Sequence, residues 1–131
     1  MENLLQNATE ILLLLFLTIT FLQSGIDKVL DWKGNLGWLN GHFSKTIFKG
    51  NVPLLLGIVL VMEILSGVLS AVGIVQFLVE GKSSIGFYGA LFGALTLLML
   101  LLGQRVAKDY VGAQTIVVYF IPTVFLLYLM Q

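Results

Sequence analysis

One acid, Glu63, stands inside the long apolar run VPLLLGIVLVMEILSGVLSAVGIVQFLV. A carboxyl group in such surroundings can hold a proton, relay one, or hydrogen-bond a ligand. Three further polar side chains interrupt the apolar runs and are candidates to join it: Tyr119, Thr115 and Gln23. Other chemistry is closed off. Cysteine is absent, which removes disulfides, CxxC redox chemistry, thiolate metal sites and iron–sulfur clusters. His42 is the one histidine, so neither a His-rich metal site nor a bis-His haem can form within the chain, and no metal or covalently bound cofactor is expected. Gly81-Lys82-Ser83 resembles the end of a phosphate-binding loop, but Gln76 stands where its leading glycine belongs. Asn7-Ala8-Thr9 matches a glycosylation acceptor by chance, against the start of an apolar run.

The elements that must position these residues follow from composition. The chain has 131 residues, of which 58% are hydrophobic and 11% charged, and its mean hydropathy is +0.99. Soluble domains are about 45–50% apolar and about 25% charged, so this chain has too little charge to cover a soluble surface. Seven Lys and Arg balance seven Asp and Glu, leaving no basic excess for nucleic acid. A bilayer core about 30 Å thick needs about 20 apolar residues per helix. Residues 8–30, 52–79, 83–102 and 110–130 meet that need. The first lacks a basic start and a small-residue cleavage site, and reads as a retained helix rather than a signal peptide. No alternation of period two marks barrel strands.

The expected fold is therefore an all-α membrane protein, a four-transmembrane-helix antiparallel bundle forming one domain over residues 1–131. The connection 31–51 carries Trp32, Trp38, Phe43 and Phe48 among glycines and lysines, and is expected to be an interfacial or re-entrant segment. Lys28, Lys33, Lys45, Lys49, Arg105 and Lys108 fall on one side of the membrane and only Lys82 on the other. The positive-inside rule makes the first side cytoplasmic and leaves both termini on the non-cytoplasmic side.

Helical spacing sorts the faces. Glu63, Ser66, Gly67, Ser70 and Gly73 form a stripe on the second span. Gly89 and Gly93 make a GxxxG on the third, with Gly86, Ala90 and Ala94 beside them. Gly112, Thr115, Tyr119 and Thr123 share a face of the fourth, and Thr20, Gln23, Ser24 and Asp27 share one on the first. Small residues let helices approach and polar ones bond between them, so these stripes should meet inside the bundle. Pro122 should kink the fourth span and free the carbonyl of Val118.

Glu63 lies about eleven residues into its span, roughly 16 Å at 1.5 Å per residue, near the bilayer midplane. An unpaired carboxylate there takes up a proton instead of keeping its charge, so Glu63 is expected to be neutral or hydrogen-bonded to Tyr119 and Gln23. Asp27, Lys28, Gln104, Arg105, Asp109 and Gln114 are expected to form a polar cluster at the cytoplasmic mouth. Two readings remain open: Glu63 bonds neighbouring helices while the mouth charges seal the bundle end, or Glu63 and Tyr119 line a pocket that opens toward the mouth.

Three segments resemble DoxX-like proteins, small bacterial four-helix membrane proteins. FLQSGIDKVLDW is similar to the end of their first helix, where a small residue and Gly precede a Lys. VMEILSGVLSAVGI resembles their second, a Glu followed by Gly-rich turns, and GQRVAKDYVGAQ resembles their third-to-fourth helix junction. The residues carried over are Gly25 and Lys28, Glu63 and Gly67, and Arg105 and Asp109. The resemblance implies a bacterial inner-membrane protein. Some members are the membrane subunit of thiosulfate:quinone oxidoreductase and others are linked to oxidative-stress complexes. Without Cys or a haem ligand pair, electron transfer by this chain alone is not expected. A quinone between the helices is the carrier the resemblance implies, with Tyr119, Glu63 and Gln23 bonding its carbonyl. Three functions follow: a non-catalytic or accessory subunit of a larger membrane complex, partnered by other subunits or itself; a quinone-associated oxidoreductase subunit; or a small transporter or lipid-handling protein built around Glu63.

Overall fold

Long runs of Leu, Ile and Val with few internal charges and no period-two alternation leave the backbone one way to satisfy its N–H and C=O groups in hydrocarbon, which is the helix. The computed structural model describes residues 1–131, and every regular element is helical: α1 (Glu2–Gln6), α2 (Ala8–Leu30), α3 (Trp32–His42), α4 (Val52–Glu80), α5 (Ser84–Val106) and α6 (Tyr110–Met130). Four of them, α2, α4, α5 and α6, are long and apolar enough to cross a membrane.

The ends follow local chemistry. Ser83 starts α5, its hydroxyl accepting from Gly86 N at 2.8 Å. Asp109 does the same for α6 through Gly112 N at 2.9 Å. Gly81 closes α4 in the left-handed conformation, with φ +75°, where a residue without Cβ meets no steric cost. The third span runs to Val106, past the expected end at Leu102, because Gly103, Gln104 and Arg105 continue its hydrogen bonding toward the turn. Residues 32–42 of the long connection form a helix, started by the Asp31 side chain on Gly34 N. The last helix continues through Pro122, and the Thr123 hydroxyl donates to Tyr119 O at 2.9 Å in the same turn.

Packing is most extensive between α4 and α5, then between α2 and α4 and between α5 and α6, and it is slight between α2 and α6. The α4–α5 seam is built from the two glycine stripes. The whole α4 stripe from Glu63 to Gly73 is buried, and so are Gly86, Gly89, Ala90, Gly93 and Ala94 on α5. A Cβ on Gly89 would sit 2.7 Å from Ser70 N, so backbone lies against backbone. That approach lets Ser66 Oγ donate to Gly89 O at 2.8 Å, across the two helices. Beside this seam, Leu14, Leu17 and Phe21 of α2 pack with Phe77, Leu97 and Leu126 in one cluster. The outer faces carry exposed Leu12, Ile19, Val61, Val72, Val118 and Ile121. Along the α4–α5 seam, small and polar side chains lie inside and large apolar ones outside, the order expected where hydrocarbon is the solvent.

Candidate functional site

The site begins with a charge pair. Glu63 is 1% exposed, and Lys28 Nζ lies 2.8 Å from its Oε1. The same ammonium donates to Ser24 Oγ at 2.8 Å. The Lys28–Glu63 contact is short but poorly aligned for a hydrogen bond, and no donor other than Lys28 reaches that buried oxygen. Glu63 thus has neither of the expected bonds to Tyr119 and Gln23. Its neighbour is a cation instead, drawn from the group expected at the mouth.

Helix geometry explains the exchange. The buried line of α2 is Ile11, Leu14, Leu17, Phe21 and Gly25, spaced by three and four. One step of three further along the same line is Lys28. Gly25 opens the way, since a Cβ there would run into Ile64 of α4. Side chains on a helix lean toward its N-terminus, so the lysine stem runs back along the α2–α4 seam while Glu63 leans toward it. The Lys28 side chain is left 16% exposed, which sets it apart from a headgroup-region lysine.

Beside the pair lies a cavity of about 340 Å³. One wall is the polar face of α2, with Thr20, Gln23, Ser24 and Asp27. The floor is Glu63 of α4 with Leu97 and Leu100 of α5, and the far wall is Ile116 and Tyr119 of α6. Phe16 and Tyr119 approach at 6.0 Å between ring centres. The cavity occupies the region between α2 and α6, which are only slightly in contact. Lys28 does not line it.

Of the four residues expected to meet a ligand, three share this space: Glu63, Gln23 and Tyr119. Thr115 does not. It is exposed, and its hydroxyl donates to Val111 O of its own helix at 3.2 Å. The inward line of α6 runs through Ile116, Thr123 and Leu126, and Thr115 is turned about 100° from Ile116. The six mouth residues divide. Asp27 lines the cavity and Lys28 pairs with Glu63. Arg105 pairs with neither Asp27 nor Asp109 and lies 4.8 Å over the Tyr110 ring. Asp109 caps α6, Gln104 bonds His42 and Gln114 is exposed.

His42 is more than a surface residue. Its Nε2 is 3.0 Å from Gln104 Oε1 and 3.8 Å from Asp109 Oδ2, and its ring stacks on Trp38 at 4.6 Å. It ties the end of α3 to the α5–α6 turn. Only its isolation is visible in sequence, so nothing there signals this role. No three His, Asp or Glu side chains converge closely enough to hold a metal ion. A second, more open cavity of about 640 Å³ lies at the other end, between Asn7, Glu10, Gln76, Lys82 and Gln131. No family model, curated protein or solved structure matches this chain.

Proposed function

We propose that the chain is a DoxX-like protein of the bacterial inner membrane. In this reading it is a non-catalytic subunit of a larger membrane complex and holds an amphipathic small molecule beside Glu63. The four spans form an antiparallel bundle, α3 lies at the cytoplasmic interface, and both termini face away from the cytoplasm. The observation that carries the reading is the Lys28–Glu63 pair at the edge of a polar-walled cavity. A buried ion pair is a poor way to hold helices together, because apolar residues of similar volume are often at least as stable. Ionisable groups at membrane depth more often mark a ligand or proton path. A volume near 340 Å³ falls in the range of small-molecule pockets, about 300–1,000 Å³.

A quinone suits the donors on the walls, Gln23 and Tyr119, and it is the ligand implied by the resemblance. A lipid headgroup suits the same position. The test is native mass spectrometry of particles extracted without stripping lipid. The expected result is a stoichiometric partner and a retained lipid-phase molecule, with the retained molecule reduced by Glu63→Gln or Tyr119→Phe. A lone chain with no retained molecule, unchanged by Glu63→Gln, would mean that the pair serves packing alone.

A further inference from the structure

The charge of the cavity wall narrows the ligand class. Two charged side chains line the space, Asp27 and Glu63, and both are acids. The nearest cation, Lys28, is held behind the wall by Ser24 Oγ and Glu63 Oε1, each at 2.8 Å. The remaining polar groups, Thr20, Gln23, Ser24 and Tyr119, can all accept hydrogen bonds. Tyr119 also brings an aromatic ring, and the faces of such rings attract ammonium groups. Leu97, Leu100 and Ile116 line the same space and offer a surface for an alkyl chain or a ring. Ile19, exposed at the rim, gives the opening between α2 and α6 an apolar lip facing the acyl chains.

From this arrangement we infer that the cavity takes the cationic head of an amine-bearing amphiphile, with Asp27 at the rim and Glu63 at the floor as its counter-charges. The inference rests on the pocket-binding reading above and names its ligand class. Lys28 then has a second role. Its ammonium occupies the carboxylate that the incoming head needs, so it is an internal competitor. Binding moves Glu63 from one ammonium to another, and the lysine, still bonded to Ser24, stays on α2. No covalent step is involved.

The experiment is a titration of the purified full chain, in micelles of a neutral maltoside, with dodecylamine at neutral pH. Dodecanol and a short-chain ubiquinone serve as uncharged comparisons, and native mass spectrometry counts bound ligands. One amine per chain is expected, at least tenfold tighter than dodecanol. Asp27→Asn should weaken amine binding at least fivefold and Glu63→Gln at least tenfold. Glu80→Gln, which changes an acid at the far end of α4, should leave it unchanged. Lys28→Met should tighten it at least threefold, a result that a purely structural lysine does not produce. Asp27 is exposed, so its variant folds even where Glu63→Gln does not. Quinone bound in preference to the amine, or amine binding indifferent to both Asp27→Asn and Lys28→Met, overturns the inference and leaves the pocket reading standing. No saturable binding of any of the three overturns both.

Discussion

At the scale of single residues, the Lys28–Glu63 pair decides most. Each charge is tolerable because the other is 2.8 Å away. Removing one leaves the other buried without a counter-charge, a loss of about 3–5 kcal/mol. Glu63→Ala should therefore lower the unfolding free energy by that much in a denaturant titration of the micelle-bound protein. The double variant Lys28→Met with Glu63→Leu should recover most of it, because matched apolar residues need no counter-charge. Recovery of stability with loss of the retained molecule would separate the pair's binding role from its structural one. Glu63 was conspicuous in the sequence as a lone acid in an apolar run. Its partner was not, because Lys28 stands close to Asp27 and Asp31 near the end of a helix, where lysines ordinarily reach for headgroups. The signal lay in the spacing from Phe21 and Gly25, which puts Lys28 on the buried line, while the polar residues beside it form the cavity wall.

At the scale of helices, the α4–α5 seam depends on missing side chains. A Cβ on Gly73 would lie 2.8 Å from Gly86 N, and backbone cannot move aside as a flexible side chain can. Gly73→Ala should force the helices apart at a cost of about 1–3 kcal/mol, read as a lowered midpoint in thermal melts followed by circular dichroism. Gly57, on the same helix, has nothing within 4 Å of a built Cβ. Gly57→Ala should leave the midpoint unchanged or raise it. These stripes were legible in advance because small residues at helical spacing have little other use on an apolar helix. On α6, Tyr119 lines the cavity and Thr123 is buried, as their spacing suggests, and Thr115 alone falls outside, because packing against α5 brings Ile116 inward in its place. Neither the short α1 nor the docking of His42 on Gln104 has a periodic signal, since both depend on contacts between distant parts of the chain.

For the molecule as a whole, the proposed topology makes a direct prediction. The native chain has no cysteine, so a single introduced one is a unique label site. In intact cells, Lys82→Cys should react with a membrane-impermeant maleimide and Lys45→Cys should react only after permeabilisation. The reverse pattern would invert the orientation drawn from the cations. Span number and rough limits were readable from hydropathy, because twenty apolar residues in a row leave few options. The order of packing was not, because every apolar helix offers similar lipid-facing surface and only the close approaches between small residues distinguish neighbours.

The open groove at the end opposite the mouth has Asn7 and Gln131 in the same wall, so the start of the first span and the end of the last lie side by side. Its first and last spans are also neighbours, in slight contact. A polypeptide with that property can be re-cut: a short linker from Gln131 to Met1, with a new break in the turns between α3 and α4, would preserve every helix neighbour. The order of the spans along the polypeptide would then change while their arrangement in space stayed the same.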